Sequence, residues 1–167
     1  MQLQLRDWFF DIDMTGTMEY SAAEAAEHCE CAYCRNFYAA LDGEYPGFRT
    51  ALATFGVDAE APEELMPYDL DGRMIYDGVW AVRGKVIQKG REVLSLGGVT
   101  ILPDPDNVRH VNCWCPEPYF LLDISGLELP WVLDEALDEV VSPANEPPFL
   151  AKMWDKLFAD KGGTHTS

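Results

Sequence analysis

Positive charge is what this sequence has least of. Twelve lysines and arginines and three histidines stand against 29 acidic residues, for a formal net charge of −17. Affinity for nucleic acid rests on neutralising phosphates with Lys and Arg, so no nucleic-acid partner is expected. Anionic membrane surfaces are disfavoured for the same reason. Long apolar runs are missing as well. No stretch of about 18 apolar residues occurs, so no membrane-spanning helix is expected. Residues 1–7 contain no apolar core of signal-peptide length, which makes the cytoplasm the expected location. Cysteine is sparse, at five. An odd count in a reducing compartment argues for free thiols or metal ligands and against a disulfide framework.

What is present suffices for a core. At 167 residues and 48% hydrophobic composition the chain is long and apolar enough for one packed domain. Trp8, Phe10 and Ile12 alternate along residues 5–13 and predict a strand with one buried face. Ser21 and Glu24 fit a capping box. From there the spacing predicts a helix to Leu41, stopped at Gly43, with Cys29, Tyr33 and Phe37 on its apolar stripe. A second helix is predicted over 48–55. Strands are predicted over 74–76, 79–87, 92–96, 99–102, 108–115, 119–125 and 127–133, separated by turn-forming pairs such as Asp77-Gly78. Such short connections imply antiparallel neighbours.

The expected fold is therefore α+β: two N-terminal helices packed on a mostly antiparallel, twisted sheet that curls toward a barrel or sandwich. Residues 1–141 form the expected single domain and 142–148 a proline-containing linker. An amphipathic helix is expected over 149–161 and a frayed tail over 162–167. The stripe of Phe149, Leu150, Met153, Trp154, Leu157 and Phe158 predicts docking at home, on a protein partner, or on a second copy.

The densest chemistry lies at residues 28–38. Cys31-x-x-Cys34 has the spacing of half a zinc site, and Cys113-x-Cys115 could supply the other half. On a continuous helix Cys31 and Cys34 are about 60° apart and converge, whereas Cys29 is about 160° from Cys31 and falls in the core. Cys113 and Cys115 would share one strand face. The expected zinc ligands are thus Cys31, Cys34, Cys113 and Cys115. If the helix breaks near Cys31, all three early cysteines could ligate, together with His28. The plainer alternatives are buried core thiols or a nucleophilic thiol served by His28, His110 or His165. Arg35 or Asn36 is expected to bond a backbone carbonyl or loop acid and fix the helix to the sheet.

Two resemblances add to this. The apolar run ending in Asp11-Ile-Asp13-Met-Thr15 resembles the first motif of the haloacid-dehalogenase phosphatases. That resemblance implies Asp11 as nucleophile, Asp13 as acid/base and magnesium as cofactor; no paired-aspartate or lysine motif follows it. The pattern Cys29-x-Cys31-x-Tyr33-Cys34-Arg35-Asn36-Phe37 occurs with Thr15-Gly-Thr-x-x-Tyr20, Phe55-Gly-Val-Asp58, Tyr76-Asp-Gly-Val-Trp80 and Leu129-Pro-Trp-Val132. It resembles a group of small uncharacterised bacterial proteins, which implies a single domain and no particular activity. The functional expectation is a soluble, non-enzymatic binding or interaction protein. The alternative is a small hydrolase using Asp11 and Asp13, or a cysteine thiol enzyme.

Overall fold

The structure, a computed structural model, describes residues 1–70, 73–106 and 112–136. Its elements run β1 (Gln2–Leu5), β2 (Trp8–Ile12), α1 (Met14–Ala26), α2 (Ala32–Glu44), α3 (Phe48–Ala53), β3 (Glu64–Leu70), β4 (Arg73–Gln88), β5 (Leu94–Leu96), β6 (Val99–Asp104) and β7 (Tyr119–Leu129). Met1–Val132 form one compact unit, and Leu133–Ser167 are assigned to a second. The expected linker at 142–148, helix at 149–161 and tail at 162–167 lie outside the described residues.

The α+β expectation holds. Helices occupy the first third of the chain, and every strand pair is antiparallel. The sheet runs β1-β2-β4-β7-β6-β5, with β3 also pairing β4, and it is not closed into a barrel. No described helix is long and apolar enough to cross a membrane.

The sheet is organised by β4. The two runs expected at 74–76 and 79–87 form a single strand, and Asp77-Gly78 is an irregularity within it rather than a turn. A side chain on Gly78 would collide with the Trp80 indole, whose nearest atom is 2.4 Å from the added carbon. The glycine is therefore there to admit a fully buried tryptophan, and not to reverse the chain. At Gly84 (φ 139°) an added carbon would stand 2.2 Å from the Asp11 carbonyl oxygen, so only glycine lets β4 approach β2 there. Likewise 119–125 and 127–133 merge into β7, bent at Gly126 with φ 76°. The expected strand at 108–115 does not form where it is described: residues 112–115 join no ladder.

The helical half needs a larger correction. The helix predicted from Ser21 to Leu41 is two helices, and the first begins seven residues earlier. Asp13 caps α1, its carboxylate accepting from the Gly16 amide at 3.0 Å. Thr17 is fully buried; its hydroxyl donates to the Asp13 carbonyl at 2.8 Å and accepts from the Arg83 amide at 3.0 Å. Ser21 is not a cap but a buried residue whose hydroxyl accepts from the Asp58 amide at 2.7 Å. At the other end, the Glu27 amide donates to Glu24, and the His28 ring meets the Ala25 carbonyl at 2.6 Å. A side chain on a terminal carbonyl closes the helix end. The chain then turns through 27–31 and starts α2 with Cys31 as its N-cap.

Helix α2 lies on the sheet through aromatics. Phe37, wholly buried, approaches Tyr76 at 5.2 Å, Phe48 at 6.2 Å and Trp80 at 6.5 Å between ring centres. Beside it Asn36, also wholly buried, donates to the Tyr76 hydroxyl at 3.2 Å and the Pro130 carbonyl at 3.1 Å, and accepts from the Val132 amide at 2.7 Å. The Tyr76 hydroxyl donates onward to the Tyr33 carbonyl at 2.9 Å. Of the pair expected to fix the helix to the sheet, Asn36 does so. Arg35 is exposed and reaches back to the Glu30 carbonyl at 3.0 Å.

Replacing Asn36 removes one buried and two part-buried hydrogen bonds and strands their partners. Asn36→Ala is expected to destabilise the protein by about 2–4 kcal/mol, read as a lower urea midpoint at an unchanged slope. Arg35→Ala should stay within about 0.5 kcal/mol.

Candidate functional site

The break between α1 and α2 creates the candidate site. Cys29 lies in the connecting turn, Cys31 caps α2, and Cys34 sits one turn in. Their three sulfurs lie within 4.8 Å of one another, making a three-cysteine cluster that could bind a metal. Cys29 and Cys31 are exposed and Cys34 is buried. On an unbroken helix Cys29 would point away; the turn after His28 folds it back over the start of α2. Among the described residues, neither Cys113 nor Cys115 joins this cluster.

The charge states differ within the group. The Cys34 thiol donates to Cys31, and the free amides of Cys34 and Tyr33 at the helix start face the same sulfur. Together they hold the Cys31 thiol down to about 5, against the burial that raises it. Cys34 is pushed far up by donating to Cys31, by its burial, and by the negative charge on Cys31. Tyr38, whose ring meets His28 edge to face at 5.1 Å, is raised by burial and then by Cys34 and Cys29. Cys31 is thus the more acidic of this pair, and Cys34 the buried thiol that donates to it.

Cys113 and Cys115 lie elsewhere, just before β7. Cys115 is buried against Val79, Ala81 and Leu121, with Tyr20, Cys113 and Tyr119 packed around that group. Tyr20 of α1 bonds both carboxyl oxygens of Glu63, at 2.8 and 3.0 Å. Burial, and then the nearby Cys113, raise the Glu63 carboxyl to about 8, against the Tyr20 hydrogen bond that lowers it. Cys113 is held down to about 6, first by the Cys115 thiol and then by Glu63 and Tyr20. Tyr20 and Glu63 have no signal in the sequence: they are 43 residues apart, and only the packing of α1 beside β4 brings them together.

The two aspartates of the phosphatase-like motif form no site. Asp13 is committed to capping α1 and to an ion pair with Arg83 at 3.2 Å. Asp11 stands on the exposed face of β2, opposite Lys85 of β4. The sheet is antiparallel throughout, whereas the phosphatase resemblance implies a parallel sheet flanked by helices.

Comparison with models of known protein families, with curated proteins and with solved structures finds no match. The functional reading therefore rests on the geometry of the chain itself.

A thiol held near 5 is ionised under conditions where an ordinary cysteine is not. Iodoacetamide labelling of metal-free protein should therefore modify Cys31 readily at pH 6, with a rate profile that inflects near 5. An inflection near 8.5, the value of a free thiol, would contradict the helix-start arrangement.

Proposed function

We propose that the protein is a non-enzymatic binding protein that holds a thiophilic metal ion, zinc in the first instance, through Cys29, Cys31 and Cys34. The observation that carries this is the convergence of three sulfurs at the α1–α2 break. Zinc–sulfur bonds of about 2.3 Å place thiolates about 3.8 Å apart around a tetrahedral ion. The sulfurs are already close to that spacing, and exposed Cys29 and Cys31 have room to adjust.

Three thiolates leave one tetrahedral position. His28 precedes Cys29, and its Nδ1 meets the Ala25 carbonyl. His28 keeps its Nε2 free of that contact, but its ring nitrogens do not lie with the three converging sulfurs, so it would have to move to fill the fourth position. Water or a partner side chain would serve equally. This set differs from the expected Cys31, Cys34, Cys113 and Cys115 because the helix is broken where that geometry required it to continue. Cys29 replaces the second pair. A metal here would tie the end of α1 to the start of α2, and its binding free energy would add to that of folding.

Protein purified without a histidine tag should carry about one zinc per chain, and the Cys29→Ser, Cys31→Ser and Cys34→Ser variants should lose it. Cys113→Ser and Cys115→Ser should retain it; loss in those two would favour the four-thiolate set. The cobalt form should show thiolate charge-transfer absorption that the first three variants abolish. Binding must displace the Cys34 proton, so affinity should fall steadily as the solution is acidified. Metal-free protein with unaltered thiol reactivity after zinc addition would refute the reading.

A further inference from the structure

The three-cysteine cluster has an internal order that metal binding alone does not require. Cys31 is the N-cap of α2, with extended backbone (φ −64°, ψ 159°), and Cys34 is the third residue of that helix. These are the two positions of a capping box, whose side chains face each other across the first turn. Here both positions carry sulfur, and the two sulfurs lie within 4.8 Å. Side-chain rotation has only that gap to close to reach the bond length of a disulfide, about 2.05 Å. The pair also differs in access. Cys31 is exposed, whereas Cys34 is buried at 7% exposure. An outside reagent therefore meets Cys31 first, and Cys34 is shielded from a second reagent but in place to close the ring. Cys29 stands ahead of the helix, its sulfur accepting from the Cys31 amide at 3.5 Å.

We propose that Cys31 and Cys34 are a reversible dithiol–disulfide pair, oxidised by low-molecular-weight disulfides, and that closing the pair ejects the metal. The Cys31 sulfur attacks one sulfur of the small disulfide. A mixed disulfide forms, the reagent's own S–S bond breaks, and one small thiol leaves with the Cys31 proton. The Cys34 sulfur then attacks the Cys31 sulfur. The Cys31–Cys34 bond forms, the mixed disulfide breaks, and a second small thiol leaves with the Cys34 proton. Two electrons pass from the protein pair to the reagent, and excess small thiol reverses both exchanges. Oxidation removes two of the three sulfurs that hold the ion, and Cys29 alone is too few for zinc. The metal and the disulfide thus compete for the same two side chains, which makes metal occupancy report the thiol–disulfide balance around the protein. The release of metal rests on the zinc reading; the disulfide does not.

The sequence lets the two be scored apart. Trypsin releases Cys29, Cys31 and Cys34 in peptide 7–35 and Cys113 with Cys115 in peptide 110–152. The full chain, metal-free, is equilibrated with mixtures of hydroxyethyl disulfide and 2-mercaptoethanol, a neutral couple suited to an acidic protein. It is then quenched with N-ethylmaleimide, digested and weighed. Peptide 7–35 should pass from three adducts to one, and fragmentation should place the remaining adduct on Cys29. Because the sulfurs already lie together, the folded chain should need about tenfold less oxidant than the chain unfolded in urea. Exposed Cys31→Ser should keep two adducts at ratios that fully oxidise the parent. Free zinc buffered at about ten times its dissociation constant should raise the oxidant needed by about tenfold, and one zinc should appear on a chelating dye as each pair closes. A folded chain no easier to oxidise than the unfolded one would overturn the proposal. So would an adduct left on Cys31 or Cys34, or zinc still bound to chains with a single adduct. The zinc reading fails by a different result, a reduced chain that binds no zinc before any oxidant is added.

Discussion

The structure depends on one buried side chain, Asn36. It lies on α2 two residues past Cys34, with no exposure, and bonds the Tyr76 hydroxyl of β4, the Pro130 carbonyl and the Val132 amide. Tyr76 then returns a hydrogen bond to the Tyr33 carbonyl in the first turn of the same helix. The start of α2 is thereby pinned to the sheet and to the chain that leaves β7. An amide buried this deeply is tolerated only because its polar atoms are paired, and pairing of this kind fixes one arrangement and excludes neighbouring ones. Cys31 and Cys34 inherit that precision.

Around this anchor the two halves of the fold have different logic. The sheet is held by β4, which pairs β2, β3 and β7 along its length and buries Tyr76, Val79, Trp80, Ala81 and Val82. The helices are held by side chains that reach back to backbone: Asp13 and Thr17 at the start of α1, His28 at its end, Ser21 onto the segment after α3. Each ends or anchors an element by satisfying a free amide or carbonyl. The break at 27–31 is therefore a constructed feature, closed on one side by His28 and on the other by Arg35 on the Glu30 carbonyl.

The sheet was largely legible in the sequence. Alternation at Trp8, Phe10 and Ile12 marks a half-buried strand, and all three are buried. The antiparallel α+β class follows from short connections. Where the reading went astray, long-range packing overrode a local signal. Asp77-Gly78 has the composition of a hairpin turn, yet the glycine makes room for Trp80. Ser21 and Glu24 have the spacing of a capping box, yet Asp13 and the Arg83 backbone start the helix earlier. The proposed cysteine set departs from the expected one at the same place: with one helix, Cys29 would point away from Cys31; with two, its sulfur lies beside those of Cys31 and Cys34. The Tyr20–Glu63–Cys113 group had no local signature, since its members come from three separate stretches of chain.

Zinc K-edge absorption on the purified chain tests the central claim most directly, because it counts sulfurs around the ion. Three sulfurs at about 2.3 Å with one nitrogen or oxygen is the predicted shell. Four sulfurs, or a shell of oxygen and nitrogen alone, would contradict the assignment of Cys29, Cys31 and Cys34 as the metal site.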